Sequence, residues 1–221
     1  MKVKYISQAW LVLLLSLSFG GALAGVDVWL APRIAKNKLD ATIKKISILV
    51  SGADNAVSGR YKPVEVVVGE GKFKTTYEAF WAMDDAGKPR GWVIKASGQG
   101  FADKIELLIG VDAKCEVIKG LSILSQKETP GLGNKIEDLG DEKKPGFLWQ
   151  FHYGHRANQP LTVTTASPKP NEFNKIKAVG GATISSRSVC NIVNDALSEQ
   201  LRTALVEALK KGPTLRPVKK E

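Results

Sequence analysis

Between Tyr5 and Val26 the chain carries twenty-two residues without a charged side chain, and the centre of that run, Ala9 to Leu17 with Phe19, is almost wholly apolar. Such a run has two physical destinations: a helix that crosses the bilayer once, or a signal peptide that is removed. Lys2 and Lys4 precede it, and Trp10 and Trp29 lie where interfacial aromatics sit. Ala22-Leu23-Ala24 before Gly25 has the form of a cleavage site. The apolar run nevertheless resumes through Val26, Val28, Trp29 and Leu30, interrupted by Asp27, which suits a retained anchor better. Orientation is balanced between two signals. Arg33, Lys36, Lys38, Lys44 and Lys45 follow the span, and by lysine and arginine count this favours a cytoplasmic domain. A short basic head and an apolar run at the extreme N-terminus have the layout of an exported chain.

Beyond this segment, 221 residues leave room for one domain with a real core. Charged residues at 24% and hydrophobic ones at 43% describe a folded chain. The net charge of +10 is spread along the sequence, with the pairs Lys210-Lys211 and Lys219-Lys220 near the C-terminus. No basic run is interleaved with aromatics, so the charge reads as general surface charge rather than a nucleic-acid site, and a basic face would help docking to anionic lipid headgroups or acidic partner subunits. Cys115 and Cys190 are too few for a zinc or iron–sulfur site, leaving either a disulfide or buried free thiols. His152 and His155 lack acidic or cysteine neighbours and read as solvated or structural rather than as metal ligands.

Periodicity predicts an α+β domain, mainly antiparallel sheet with helices packed on it. Leu39, Ile43, Ile46 and Leu49 give a short helix over 35–50, and Val64–Val68 a strand. Thr75–Met83 and Gly91–Ala96 form a hairpin around Asp84 to Pro89. Ile105–Val111 and Cys115–Leu124 form a second, turned by Asp112-Ala113-Lys114. Phe147–Phe151 and Leu161–Thr165 are further strands, and a helix over 185–211 is stopped by Gly212-Pro213. The resulting division is an anchor over 1–30, a connecting helix and linker over 31–60, the domain over 61–212 and a basic tail over 213–221.

The chemistry is concentrated in Gly180-Gly181-Ala182-Thr183-Ile184-Ser185-Ser186. Two glycines let the backbone approach a ligand closely, and three hydroxyls follow within four residues. Behind them Val189, Ile192, Val193, Leu197, Leu201, Leu205 and Leu209 recur at helical spacing, so the hydroxyls sit on a first helical turn, whose free N–H groups favour a phosphate. Taken alone, the segment is better read as an ordinary helix cap. A second motif, Lys127-Glu128-Thr129-Pro130-Gly131-Leu132-Gly133, lies some fifty residues upstream, and Ala31-Pro32-Arg33-Ile34-Ala35 follows the apolar run.

These three segments, in this order, resemble the covalent FMN-binding domain of the G subunit of the Rnf electron-transport complex and the related C subunit of the sodium-translocating NADH:quinone reductase. The resemblance covers nearly the whole chain. It implies one FMN per chain, esterified through its phosphate to Thr183, with Gly181, Ala182, Ser185 and Ser186 around the attachment point. It further implies that Glu128, Thr129, Leu132 and Gly133 wall the isoalloxazine ring, Pro130 stiffening that loop. Glu128 is open between bonding the ring, bonding a ribityl hydroxyl and capping the loop. Lys177, Gly180 and Gln126 stand where the family usually has Asp, Ser or Thr, and often His.

The implied function is electron carriage in an ion-translocating ferredoxin:NAD oxidoreductase, anchored in the bacterial inner membrane with the domain on the extracytosolic side. Partners are then the other membrane and iron–sulfur subunits and a flavin transferase. No acid–base pair, nucleophile triad or NAD-binding glycine fingerprint is visible, so the chain alone is not expected to complete a reaction. Two other readings remain: a stand-alone extracytosolic flavin reductase or sensor, and an anchored binding module without flavin.

Overall fold

A computed structural model of the chain describes residues 2–51, 61–68, 75–83, 89–169 and 172–210. It divides into two units, residues 1–43 and 44–221. One helix, α1, Lys2–Ser51, runs without interruption where the sequence suggested an anchor and a separate short helix. Pro32 lies inside it. A proline removes one backbone hydrogen bond and disfavours the helix, but here it does not end it. Within the first unit, Ala9–Ile34 is a 26-residue stretch of mean hydropathy 2.0 with no buried residue, Leu13 being 70% and Leu17 79% exposed. At 1.5 Å per residue it spans about 39 Å, enough for the hydrocarbon core of a bilayer. Arg33 stacks over the Trp29 ring at 4.6 Å, giving the cation an aromatic partner at the end of the apolar stretch.

The second unit is built on a five-stranded antiparallel sheet in sequence order: β1, Tyr61–Val68; β2, Thr75–Met83; β3, Pro89–Gln99; β4, Lys104–Val111; and β5, Ile118–Ser125. Both hairpins expected from the sequence are present, though the first turn, 84–88, lies outside the described residues. The strand expected to begin at Cys115 begins at Ile118. Asp112 Oδ1 accepts from the backbone N–H of Glu116 and Val117 at 2.7 and 2.8 Å, holding a wider turn in which Cys115 has φ 56°.

Both faces of the sheet are covered, which is why β4 reads as a continuous apolar run rather than an alternating one. Phe80, Val93 and Leu108 meet Ile46 and Leu49 of the last part of α1. Lys45 Nζ donates to the Ile123 carbonyl on the same segment. The opposite face contributes Trp92, Ile94, Leu107 and Ile109 to the larger core, where Trp81 and Trp92 pack at 4.7 Å between ring centroids.

That larger core is closed by α2, Thr183–Ala196, and α3, Glu199–Lys210. The single helix expected over 185–211 is thus two. The break falls at Leu197-Ser198, where Arg202 Nε donates to the Leu197 carbonyl at 3.0 Å and satisfies an acceptor freed by the turn. The expected stop at Gly212-Pro213 and the tail lie outside the described residues. A second correction concerns Phe147–Phe151, which is not a strand but part of a 3-10 segment, Leu148–Tyr153. Phe147, Leu148 and Phe151 are buried, a helical rather than an alternating spacing, and the two phenyl rings meet edge to face at 5.6 Å. Of the strand expected over 161–165, Thr162–Thr164 forms β6, which pairs in parallel with β7, Lys175–Lys177, absent from the sequence expectation. Both cysteines are free and buried, and burial pushes each thiol up to about 12, so neither is a reactive thiolate near neutrality.

The two histidines separate. His152 is exposed, whereas His155 is 7% exposed, with Nε2 donating to the Gln150 carbonyl at 2.9 Å and Nδ1 accepting from Asn174 N–H at 3.2 Å. This pattern requires the neutral ring. Burial lowers the pKa below the usual imidazole value, offset in part by the Gln150 carbonyl. The native state therefore resists the proton that the unfolded chain accepts. The contribution of His155 to stability is full above the ordinary imidazole value and falls as pH drops toward the lower native value. Urea unfolding between pH 7.5 and 5 should show wild-type stability falling with pH, and His155→Gln should flatten that slope. Parallel slopes in the two proteins would remove His155 as the cause.

Candidate functional site

The two motifs meet in space around one carboxyl group. Glu128 follows β5 and is 4% exposed. Its Oε1 accepts from Phe101 N–H at 2.9 Å and Ala102 N–H at 3.2 Å, and its Oε2 accepts from Ser185 Oγ at 2.6 Å. Gln126 Oε1 accepts from the Glu128 backbone N–H. In this arrangement the Glu128 carboxyl caps the loops around it. Three segments thus converge, namely the β3–β4 turn, the loop after β5 and the first turn of α2.

Glycines make the convergence possible. A Cβ at Gly133 would stand 2.8 Å from Glu128 Cβ and 3.1 Å from both Glu128 Oε2 and Ser185 Oγ, and one at Gly100 would stand 2.3 Å from Glu128 Oε1. The loop folds on itself through the Thr129 carbonyl, which accepts from Leu132 N–H and Asn134 N–H, both at 3.2 Å. Gly133 then opens a 3-10 segment, Gly133–Glu137. Gly181, at φ 77°, needs the left-handed region, and Leu132 Cδ2 lies 3.1 Å from where its Cβ would be. Leu132 therefore covers the turn that leads into Thr183. On the surface, Lys127 Nζ meets Asp103 Oδ2 at 3.1 Å, joining the same two loops again. The Lys104 N–H first, and then Lys127, hold the Asp103 carboxyl below its usual range. Both partners of this pair are well exposed, so it contributes little beside the buried Glu128.

The three hydroxyls of the first turn differ in what they already hold. Ser185 is spent on Glu128. Ser186, fully buried, donates to the Ala182 carbonyl and accepts from Val179 N–H, both at 3.0 Å. Thr183 is partly exposed and is the first residue of α2, while Ala182 precedes it with no side chain capping the turn. The N–H groups of a first turn have no partner inside the helix, so this end presents uncapped donors and the positive end of the helix dipole. Phe101, Leu132 and Ile184 add apolar surface that is 61%, 46% and 55% exposed. Of these the sequence pattern singled out only Leu132. Phe101 was missed because its link to the site runs through a backbone N–H, which no side-chain pattern reports.

The two described cavities lie elsewhere: one of about 260 Å³ beside Ile118, Pro160, Glu199 and Arg202, and one of about 250 Å³ beside Lys45, Leu49, Leu139 and His152. Among the described residues no three of His, Cys, Asp and Glu gather as a metal site.

Residues 100–198, which contain every part of this site, match the family model of the FMN-binding domain. The chain carries that domain behind an apolar N-terminal helix. Its relatives are G subunits of ion-translocating oxidoreductases. It is 29% identical to the G subunit of the proton-translocating ferredoxin:NAD(+) oxidoreductase complex of Clostridium ljungdahlii, over 83% of this chain and 84% of that protein. It is 33% identical to the G subunit of the Na(+)-translocating ferredoxin:NAD(+) oxidoreductase complex of Acetobacterium woodii, over 49% of this chain and 48% of that one. The match thus spans about half the length of the latter relative. The crystal structure of Shewanella oneidensis NqrC superposes with a TM-score of 0.65 at 17% identity, covering 80% of this chain and 100% of that one, and shows the same fold.

The glycine at the convergence is testable without any cofactor. Gly133→Ala must displace Glu128 at its Cβ, which is not a flexible end, and should cost about 1–3 kcal/mol. Gly180→Ala meets nothing within 4 Å and should change stability by less than about 0.5 kcal/mol. Equal effects in denaturant unfolding would mean that the convergence is not as tight as described.

Proposed function

We propose that Thr183 bears FMN through a phosphodiester on its hydroxyl, and that the chain carries electrons as an anchored subunit of an ion-translocating ferredoxin:NAD oxidoreductase. The observation that carries this reading is the state of the three hydroxyls: Ser185 and Ser186 are buried and bonded within the protein, and Thr183 is partly exposed at an uncapped helix start. A phosphate there gains the first-turn N–H groups and the dipole. Leu132, Phe101 and Ile184 supply apolar surface for a ring, and the exposed Thr129 supplies a polar group beside it. FMN bound here supplies reversible one- and two-electron chemistry.

Attachment needs an activated donor, and FAD is one, since it joins FMN to AMP through an anhydride. The Thr183 Oγ1–P bond forms, the P–O–P bond breaks, AMP leaves, and the hydroxyl proton passes to a base of the transferase. A Cβ at Gly180 would meet nothing within 4 Å, and Lys177 is an exposed residue of β7 whose N–H donates to Gln150 Oε1 at 2.7 Å, so both positions are open to an approaching transferase. The names of the relatives supply the complex, and the exposed apolar stretch Ala9–Ile34 supplies the anchor. An extracytosolic domain follows from the same reading and gives the covalent link its purpose, because a released flavin could not be replaced from the cytosol.

Two measurements test this. Co-expressed with a flavin transferase, the full chain should fluoresce on a denaturing gel and gain one FMN by mass. Thr183→Val should lose both and Thr183→Ser should keep them, whereas flavin persisting in Thr183→Val would move the site. For the anchor, alkaline carbonate should leave the chain in the membrane, and protease added to spheroplasts should digest the domain. A domain protected until lysis would reverse the orientation.

A further inference from the structure

We infer that Glu128 is a positioning residue that holds the first turn of α2, through Ser185, in the shape that presents Thr183. The inference rests on Thr183 being the attachment site and adds to it the group that makes it competent. The first turn of a helix is its loosest part, since its N–H groups lack partners, and an N-cap side chain is the usual remedy. In α2 the residue before Thr183 is Ala182, which offers none. The turn is instead held from its third residue: Ser185 Oγ donates to Glu128 Oε2 at 2.6 Å, across 57 positions of sequence. The same carboxyl is fixed on its other side by Phe101 and Ala102 N–H, so it cannot follow the turn if the turn moves.

The rest of α2 does not depend on this bond. Val189, Ile192 and Val193 are buried in the main core and seat the helix body on β3. Losing the Glu128–Ser185 contact should therefore loosen residues 182–187 and the two loops on the carboxyl while the domain stays folded. Leu132, which packs over Gly181, would loosen with them. The hydroxyl of Thr183 and the uncapped amides would then no longer face one ligand together.

The full chain, purified without flavin, is compared with Ser185→Ala, Glu128→Ala and Glu128→Gln. The glutamine keeps an acceptor for the two amides and a polar group for Ser185. The first readout is amide hydrogen exchange. Ser185→Ala and Glu128→Ala should speed exchange within 100–103, 126–134 and 182–187 only, and Glu128→Gln should resemble wild type. The second is the initial rate of covalent labelling by a flavin transferase with FAD. It should fall about tenfold in the two alanine variants, the factor that one lost hydrogen bond corresponds to, and recover in Glu128→Gln. Unchanged exchange in Ser185→Ala overturns the latch. Faster exchange with wild-type labelling overturns its positioning role. A wild-type chain that takes no flavin sinks the attachment reading instead, and the exchange result still decides the latch. If Glu128→Ala unfolds globally, Ser185→Ala carries the decision.

Discussion

The seat of α2 on the sheet governs where everything else at the site can be. Ile192 Cγ1 lies 2.6 Å from the position that a Cβ would take at Gly98, so α2 rests on β3 at a distance that only glycine permits. Gly98, near the end of β3, lies three residues before Phe101, and Ile192 lies nine residues, about two and a half helical turns, beyond Thr183. One close approach in the core therefore sets the separation between the β3–β4 turn and the first turn of α2. Glu128 is the side chain that fits that gap, with Gly100 and Gly133 cleared on either side of it. Core packing and site geometry are one constraint here, passed from an apolar contact to a carboxyl group.

Much of this was legible in the sequence, and what was missed has physical reasons. The four strands β2 to β5 announced themselves by β-branched and aromatic runs between turn residues. Phe147, Trp149 and Phe151 imitated a strand because they alternate, but the buried set is Phe147, Leu148 and Phe151. The division between α2 and α3 was hidden because Val193, Leu197, Leu201 and Leu205 keep one apolar face against one core through the break. β7 was too short, at three residues, to carry a period. Both motif segments were readable as chemistry, and the carboxyl that joins them was named. What it joins was not, since two of its three donors are backbone groups 26 and 27 residues away, and hydrogen bonds to main chain leave no residue signature.

The covalent attachment proposed at Thr183 sets its own demands on the surface around it. With the group retained by a bond, the contacts around a ring can serve selectivity and potential. On that proposal the tether retains the group, and the apolar surface of Phe101, Leu132 and Ile184, exposed as it is, suits a ring edge and an electron partner together.

The protein around the site is correspondingly quiet. Cys115 and Cys190 are free, buried and held near 12, so neither competes as a redox centre near neutral pH. His155 is kept neutral by Asn174 N–H on one ring nitrogen and the Gln150 carbonyl on the other, so it does not serve as a mobile proton donor. Ser185 and Ser186 are bonded inward. Among the hydroxyls of this turn, Thr183 alone is left without a described structural duty. Specificity for the proposed modification among neighbouring hydroxyls then requires no pocket that reads threonine against serine. It follows from occupying every neighbour, and the group that occupies the nearest one, Glu128, is the same group that ties the three loops of the site together.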